Sequence, residues 1–279
     1  MSSDLNKMES RKMTYRVDGE FFIITFVDPK ALNSLSGTDY LYLARLLQIA
    51  DSMQSVSFTV LQSTGRFFSA GADISHIEQV QAAANKEASG MLGKWLSEFA
   101  SRNVFVTHTF ATHSKILVCC LNGPAVGLTA ALVMLCDIVY SMNDDVYLLF
   151  PFANLALVTE GALSLTLPLK LGYNVAHEIL MFSKPVTYQQ LIDKVIVRNY
   201  NFSDPETFNT QVISDLHEKT EGLHHDSFLN MKELLKRPLL SELKRANIDE
   251  VADAMKYWVQ SLPQQRFQEI GSKKRKHKF

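Results

Sequence analysis

The sequence predicts an α/β fold closed by a helical C-terminal region, and three observations carry that expectation. Short apolar runs alternate with segments of helical spacing through the first two thirds, which is the βαβ rhythm. The runs are apolar throughout, as strands of a parallel sheet covered on both faces are. Beyond about Phe202 the strand signal stops and only helical periodicity continues.

Taken in order, Phe21 to Val27 is a β-branched and aromatic run stopped by Asp28-Pro29, and it predicts the first strand. Tyr40, Leu41, Leu43, Leu46, Leu47 and Ala50 recur at helical spacing, and Val56 to Leu61 is the next strand. A polar, helical insertion runs from Ile77 to about Thr112. The rhythm then resumes with a strand at Ile116–Leu121, a helix at Leu128–Leu135, a strand at Ile138–Tyr140, a strand at Tyr147–Phe150 and a helix from Gly161 towards Leu171. Glu206–Lys219, Phe228–Leu235 and Leu240–Trp258 read as three further helices.

Composition narrows the function. The 279 residues are 47% hydrophobic and 20% charged, enough apolar material for a sizeable core. Lys+Arg 28 against Asp+Glu 29 gives a net charge of -1, so no global field draws a polyanion, and nucleic acid is not an expected partner. Without the tail cations Lys273, Lys274, Arg275, Lys276 and Lys278 the body is acidic. Cys119, Cys120 and Cys136 sit in apolar runs with no CxxC spacing and predict reduced, buried thiols. The first dozen residues mix charges and lack a secretory apolar core. From Ile116 to Cys136 no charge interrupts the chain, but Asn122-Gly123-Pro124 in its middle breaks a spanning helix, so no membrane span is expected.

Three segments have the makings of a site. Gly65-Arg66-Phe67-Phe68-Ser69-Ala70-Gly71-Ala72-Asp73 follows a strand, and its small residues let backbone N–H groups approach a ligand oxygen. A helix beginning near Asp73 would add the positive end of its dipole. Asn122-Gly123-Pro124-Ala125-Val126-Gly127-Leu128 is a second strand-to-helix turn. Each alone is an ordinary turn, whereas two in one sheet can aim two N–H donors at one point. Val158-Thr159-Glu160-Gly161 sets Glu160 among apolar residues, where burial raises a carboxylate's pKa. The plainer reading of this segment is a helix start, with Thr159 as cap and Glu160 complementing the dipole.

These segments, with Met134-Leu135-Cys136-Asp137-Ile138-Val139 and Pro151-Phe152, resemble the enoyl-CoA hydratase/isomerase, or crotonase, superfamily. The likeness runs from about Phe21 to Leu171. It implies a crotonase-type spiral of ββα units with a C-terminal helical region, divided into a catalytic core at 1–201 and a helical oligomerisation region with basic tail at 202–279. It also implies that Ala72 and Leu128 supply the two N–H groups of an oxyanion hole, with Ser69, Ala70, Gly71, Asp73 and Gly127 around the substrate and the CoA nucleotide near the first loop.

In this superfamily the surrounding carboxylates set the reaction. The two glutamates of the hydratases fall at Ala131 and Phe152, so water would be neither positioned nor activated. Glu160 instead matches the placement in fungal peroxisomal Δ3,Δ2-enoyl-CoA isomerases, which move a fatty acyl-CoA double bond from C3 to C2 for β-oxidation. Glu160 is then the single base, with Phe150, Phe152, Leu155 and Leu157 excluding water. Two alternatives stay open, a Δ3,5-Δ2,4-dienoyl-CoA isomerase and a non-catalytic acyl-CoA-binding homologue. The implied reaction calls for no metal and no cofactor, since coenzyme A arrives as part of the substrate.

Further residues have weaker signals. Asn103 is a possible helper beside the base, although an Asn at the end of the insertion helix also serves as a C-cap. Ser69 with His108 or His113 lacks the GxSxG elbow of a hydrolase, and His224-His225 reads as surface. Lys276-His277-Lys278-Phe279 resembles the Ser-Lys-Leu peroxisomal address, with His277 and Phe279 as departures, so an import receptor is a possible partner. The peroxisome is therefore the expected location, with the cytoplasm as alternative. Superfamily relatives form trimers and dimers of trimers through the helical end, where Leu239, Leu240, Leu243, Met255, Tyr257 and Trp258 would suit helix contacts, so a homotrimer or homohexamer is expected.

Overall fold

The computed structural model describes residues 10–73, 90–272 and 274. Its main sheet has six strands: β1 (Met13–Asp18), β2 (Phe21–Phe26), β3 (Phe58–Ser63), β4 (Ile116–Leu121), β6 (Ile138–Ser141) and β9 (Ile196–Asn199), in the order β1-β2-β3-β4-β6-β9. Only β1 runs antiparallel to its neighbour; from β2 to β9 every pairing is parallel, with Phe21 opposite Phe58 and Phe58 opposite Ile116. A second sheet of β5 (Ala125–Val126), β7 (Tyr147–Leu149) and β8 (Pro185–Thr187) stands beside it.

Successive side chains of a strand point to opposite faces. Phe22, Ile24 and Phe26 of β2, with Leu117, Cys119 and Leu121 of β4, join the main core beneath helix α1 (Gly37–Ser52). Phe21, Ile23, Val118 and Cys120 enter a separate cluster on the other face. Being covered on both sides is why β4 is apolar at every position and β2 at all but Thr25. Helix α1 starts at a capping box in which Ser36 Oγ accepts from Asp39 N at 3.2 Å and Asp39 Oδ2 accepts from Ser36 N at 2.8 Å.

Of the insertion, 74–89 lie outside the described residues, and with them the expected helix from Asp73. The remainder is helical: α2 (Gly90–Trp95), a π-helical turn (Leu96–Ala100) and α3 (Ser101–Thr112). After β4 come α4 (Gly127–Met134), α5 (Leu163–Leu171), α6 (Tyr173–Phe182) and α7 (Tyr188–Leu191). The sequence reading contains neither β1 nor anything between Leu171 and Phe202. Strand β1 is an edge strand with Tyr15 and Val17 exposed, so it shows no apolar run. Strand β9 is the opposite edge, with Val197 exposed.

The C-terminal helices are α8 (Pro205–Thr220), α9 (His225–Val259) and α10 (Leu262–Gly271). Helix α8 lays Phe208, Val212, Ile213 and Leu216 against the second face of the sheet. The expected helices at Phe228–Leu235 and Leu240–Trp258 are one 35-residue helix, α9, which carries Pro238 inside it. An interior proline costs a helix about 3 kcal/mol, and tertiary anchors on both sides offset that cost. Lys232 before it pairs with Asp137 at 2.6 Å, and after it Asn247 Nδ2 donates to the Val104 carbonyl at 2.9 Å. Leu243 and Trp258 are buried within the chain itself, at 5% and 4% exposure. No described helix is long and apolar enough to cross a membrane.

Candidate active site

The two glycine-containing turns leave adjacent parallel strands, β3 and β4, and are stitched together by their backbones. Phe68 N donates to Pro124 O at 3.0 Å, and Val126 N donates to Ser69 O at 3.0 Å. Gly71 shows why a small residue stands there: its φ is +83°, and a Cβ would lie 2.6 Å from the Val126 carbonyl oxygen. The chain can cross its neighbour at that distance only without a side chain.

Leu35 pairs with this loop, donating its N–H to Gly71 O at 2.8 Å and accepting from Asp73 N at 2.9 Å. The amide of Ala72, between those two bonds, therefore faces away from Leu35. Leu128 occupies the second position of α4, where a helix leaves its N–H without an internal acceptor. Among the described residues neither N–H has a partner, and both residues line one cavity.

Glu160 lines the same cavity, on the irregular segment between the 3₁₀ turn Ala153–Leu155 and α5. Asn103 Nδ2 donates to Glu160 Oε2, and Asn103 Oδ1 accepts from Arg102 at 2.9 Å and 3.1 Å. Glu160 retains partial exposure towards the cavity, yet the protein around its carboxylate removes enough water to push its pKa up to about 7. Arg102 and the Asn103 hydrogen bond oppose that rise, whereas the nearby Glu250 adds to it. A carboxylate near neutrality is matched to proton transfer at working pH.

The remaining wall is apolar. Phe152, Leu155 and Leu157 line the cavity as expected, with Phe150 stacked behind Phe152 at 6.5 Å between ring centroids. Trp95, Phe99, Trp258 and Phe267 form a cluster in the same wall, the two indoles 4.4 Å apart. Two other lining acids are paired, Asp73 with Lys12 at 3.0 Å and Glu98 with Lys94 at 3.2 Å. The cavity thus gathers two N–H donors and one carboxylate of raised pKa, the inventory for removing a weakly acidic proton and holding the resulting anion.

Of the residues singled out in the sequence, Ala70, Gly71, Ala72, Asp73, Gly127, Leu128 and Glu160 meet at this cavity. Ser69 does not: fully buried, it donates to Asn33 O at 2.7 Å and accepts from Gly71 N at 3.1 Å, bracing the loop from behind. Asn103 lies near the start of α3, so the C-cap reading of it is wrong. Thr159 is no N-cap either, because α5 begins at Leu163 after Ala162 with no side-chain cap of its own. His113 is bound to Asp51 and Thr59, away from Ser69. Ala131 and Phe152, where hydratases have acids, both lie beside the site, Ala131 against Gly161 and Phe152 on the wall.

Sequence reasoning missed Arg102, Tyr40, Trp95, Phe267 and Glu250. Tyr40 reads as one more core position of α1, although its hydroxyl meets Thr129 Oγ1 at 2.9 Å inside the site. Arg102 was visible as the neighbour of Asn103, but adjacent helix positions do not face each other; only the folded chain turns its guanidinium back onto the Asn103 carbonyl.

The family model described as enoyl-CoA hydratase/isomerase matches residues 18–257. The 3,2-trans-enoyl-CoA isomerase of Saccharomyces cerevisiae is 49% identical over 282 residues, covering 100% of both chains. The Delta(3,5)-Delta(2,4)-dienoyl-CoA isomerase of the same yeast is 45% identical over 97% of this chain and 100% of its own. A crystal structure of an enoyl-CoA hydratase/isomerase from Pseudoalteromonas atlantica T6c superposes with a TM-score of 0.78 at 19% identity, covering 96% of this chain and 100% of that one, a likeness of fold. With the family model spanning most of its length, this chain belongs to the enoyl-CoA hydratase/isomerase family.

Proposed function

We propose that the chain is a Δ3,Δ2-enoyl-CoA isomerase, moving a fatty acyl-CoA double bond from C3 to C2. The observation that carries this is Glu160, the one acid on the described wall not held by a lysine, sharing an apolar cavity with two backbone N–H groups that have no partner among the described residues. The thioester oxygen would sit between the amides of Ala72 and Leu128. As Glu160 takes the proton from C2, the C–H pair moves into the C1–C2 bond and negative charge gathers on that oxygen. Each N–H stabilises it by roughly 2.7–4 kcal/mol by analogy with other oxyanion holes. The same carboxyl then returns the proton to C4, the π electrons settle between C2 and C3, and the charge leaves the oxygen. Every hydrogen moves as a proton, so the reaction balances without a redox partner.

Asn103 and Arg102 keep enough negative character on Glu160 for it to accept the proton, while desolvation keeps its proton affinity high. Apolar walls keep water from hydrating the intermediate.

Assay of the purified chain with 3-enoyl-, 3,5-dienoyl- and 2-enoyl-CoA tests this reading. We expect 2-enoyl-CoA to form from the first substrate, and no turnover of it would reject the assignment. The dienoyl-CoA reading is favoured by the 45% identity to the yeast dienoyl-CoA isomerase. Against it, the only other acids on the described wall, Asp73 and Glu98, are held by lysines. Binding without turnover would mark a non-catalytic homologue.

For assembly we propose a homotrimer or homohexamer, consistent with the exposed apolar side chains Leu169, Met231, Leu234 and Leu235; light scattering of the full chain reads this. Peroxisomal residence is proposed with import through the C-terminus, whose residues 275–279 lie outside the described ones. A fluorescent reporter at the N-terminus should give punctate signal, and a diffuse cytosolic signal would oppose it.

A further inference from the structure

We propose that Glu250, on α9, is a positioning residue for the base: its carboxylate grips the amides of Ala162 and Ser164, two and four positions after Glu160, and fixes that segment from a distant part of the chain. The proposal rests on the assignment of Glu160 as base.

The segment after Glu160 is conformationally costly. Gly161 has φ +77° and Ala162 has φ +57°, two successive left-handed residues, the second with a side chain. At Gly161 a Cβ would meet the Ala131 Cβ at 2.6 Å, so the turn is pressed against α4. Helix α5 then begins without a local side-chain cap. Glu250 supplies one across 88 positions of sequence: Oε2 accepts from Ala162 N at 2.8 Å, and Oε1 accepts from Ser164 N at 2.6 Å. The residue is 5% exposed, so surface solvation does not account for a charge here. A carboxylate at a helix N-terminus also complements the dipole, and a displacement of about 1 Å in a catalytic group can cost a hundredfold in rate.

Glu250 acts on Glu160 in a second way, through charge. Around the base stand Arg102 and Asn103 from α3, Tyr40 from α1 and Glu250 from α9. Arg102 favours the ionised base, whereas the like charge of Glu250 disfavours it. Replacing Glu250 by glutamine should therefore loosen the segment and lower the proton affinity of Glu160 together.

The test uses the full chain with Glu250→Gln and Glu250→Asp. With 3-enoyl-CoA, Glu250→Gln should lose about ten- to a hundredfold in kcat with KM nearly unchanged, and the acid limb of its pH profile should move to lower pH. Glu250→Asp keeps the charge but is one methylene short of spanning both amides. It should lose kcat with less movement of the limb.

A substrate-free arm separates this proposal from the assigned reaction. The stability difference between the parent and Glu160→Gln at pH 8 should be smaller when Glu250→Gln is present in both. If that difference is unchanged, the proposal is overturned whatever the enzyme turns over. Wild-type kcat in folded Glu250→Gln, or a loss matched by the unfolded fraction with no movement of the limb, also overturns it. Should Glu250→Gln not fold, Glu250→Asp decides: wild-type kcat there rejects the proposal, and a selective kcat loss supports it.

Discussion

Asn103 donates its side-chain N–H into the carboxylate of Glu160 from a helix 57 positions earlier in the chain. It does so with its own carbonyl occupied by Arg102, so amide and guanidinium form a relay ending on Glu160. That relay opposes the desolvation that pushes Glu160 up to about 7. Isomerisation should therefore fall on the acid side with a midpoint near pH 7, where the base becomes protonated. Arg102→Met removes an opposite charge, and the midpoint should move to higher pH. A pH series of kcat/KM on both proteins checks this, and an unmoved midpoint would remove Arg102 from the account.

Glu160→Gln should cost about 10²–10⁴ in rate, the usual contribution of a general base, and should leave acyl-CoA binding near wild type. The same change should stabilise the fold. Because the folded pKa lies above the unfolded one, the wild type loses stability as pH rises from about 4.5 to about 7, and the loss is complete above that. The variant escapes it, gaining about 2 kcal/mol at pH 8 after allowance for solvent reaching the carboxylate through the cavity, and close to nothing below pH 4.5. Denaturant titrations at the two pH values measure the gap.

Gly71→Ala puts a methyl group where the Val126 carbonyl already stands, 2.6 Å from the ideal Cβ position, at a φ of +83°. The two loops must separate, and the amides of Ala72 and Leu128 with them. Loss of one oxyanion donor costs about 10²–10³ in kcat, and this variant should lose at least that with only moderate loss of stability. Steady-state kinetics beside a thermal melt separates the effects.

Trp258 and Trp95 line the cavity side by side, with both indole N–H groups unpartnered among the described residues. Trp258→Ala should lengthen the space available to the acyl chain. We expect kcat/KM to rise for long-chain 3-enoyl-CoA relative to short-chain, read from competition assays; an unchanged ratio would show that the acyl chain runs elsewhere.

Phe208 is fully buried between α8 and the sheet. Phe208→Ala should destabilise the protein by about 3–5 kcal/mol while leaving KM close to wild type. A folded protein of unchanged stability would show that α8 packs only loosely on the sheet.

The long apolar runs could be read as strands because residues buried on both faces leave no ambiguity of pattern. Strands β1 and β9 could not, since an edge strand half in water has no such run. The two helices expected at Phe228–Leu235 and Leu240–Trp258 are one for a related reason: Pro238 carries a real local cost, but Lys232, Leu243 and Asn247 hold α9 through it by contacts with other elements.

The site divides in the same way. Glycines and small residues at 69–72 and 127 were legible because backbone approach imposes a local requirement on residue size, and Glu160 was legible because an acid among apolar residues is costly. That Ala72 and Leu128 share one cavity, that Arg102 reaches Glu160 through Asn103, and that Glu250 caps α5 were decided only by folding. Hydrogen bonds and charge act over a few ångströms in space, and 57 or 88 positions of sequence separation show nothing of which groups come that close.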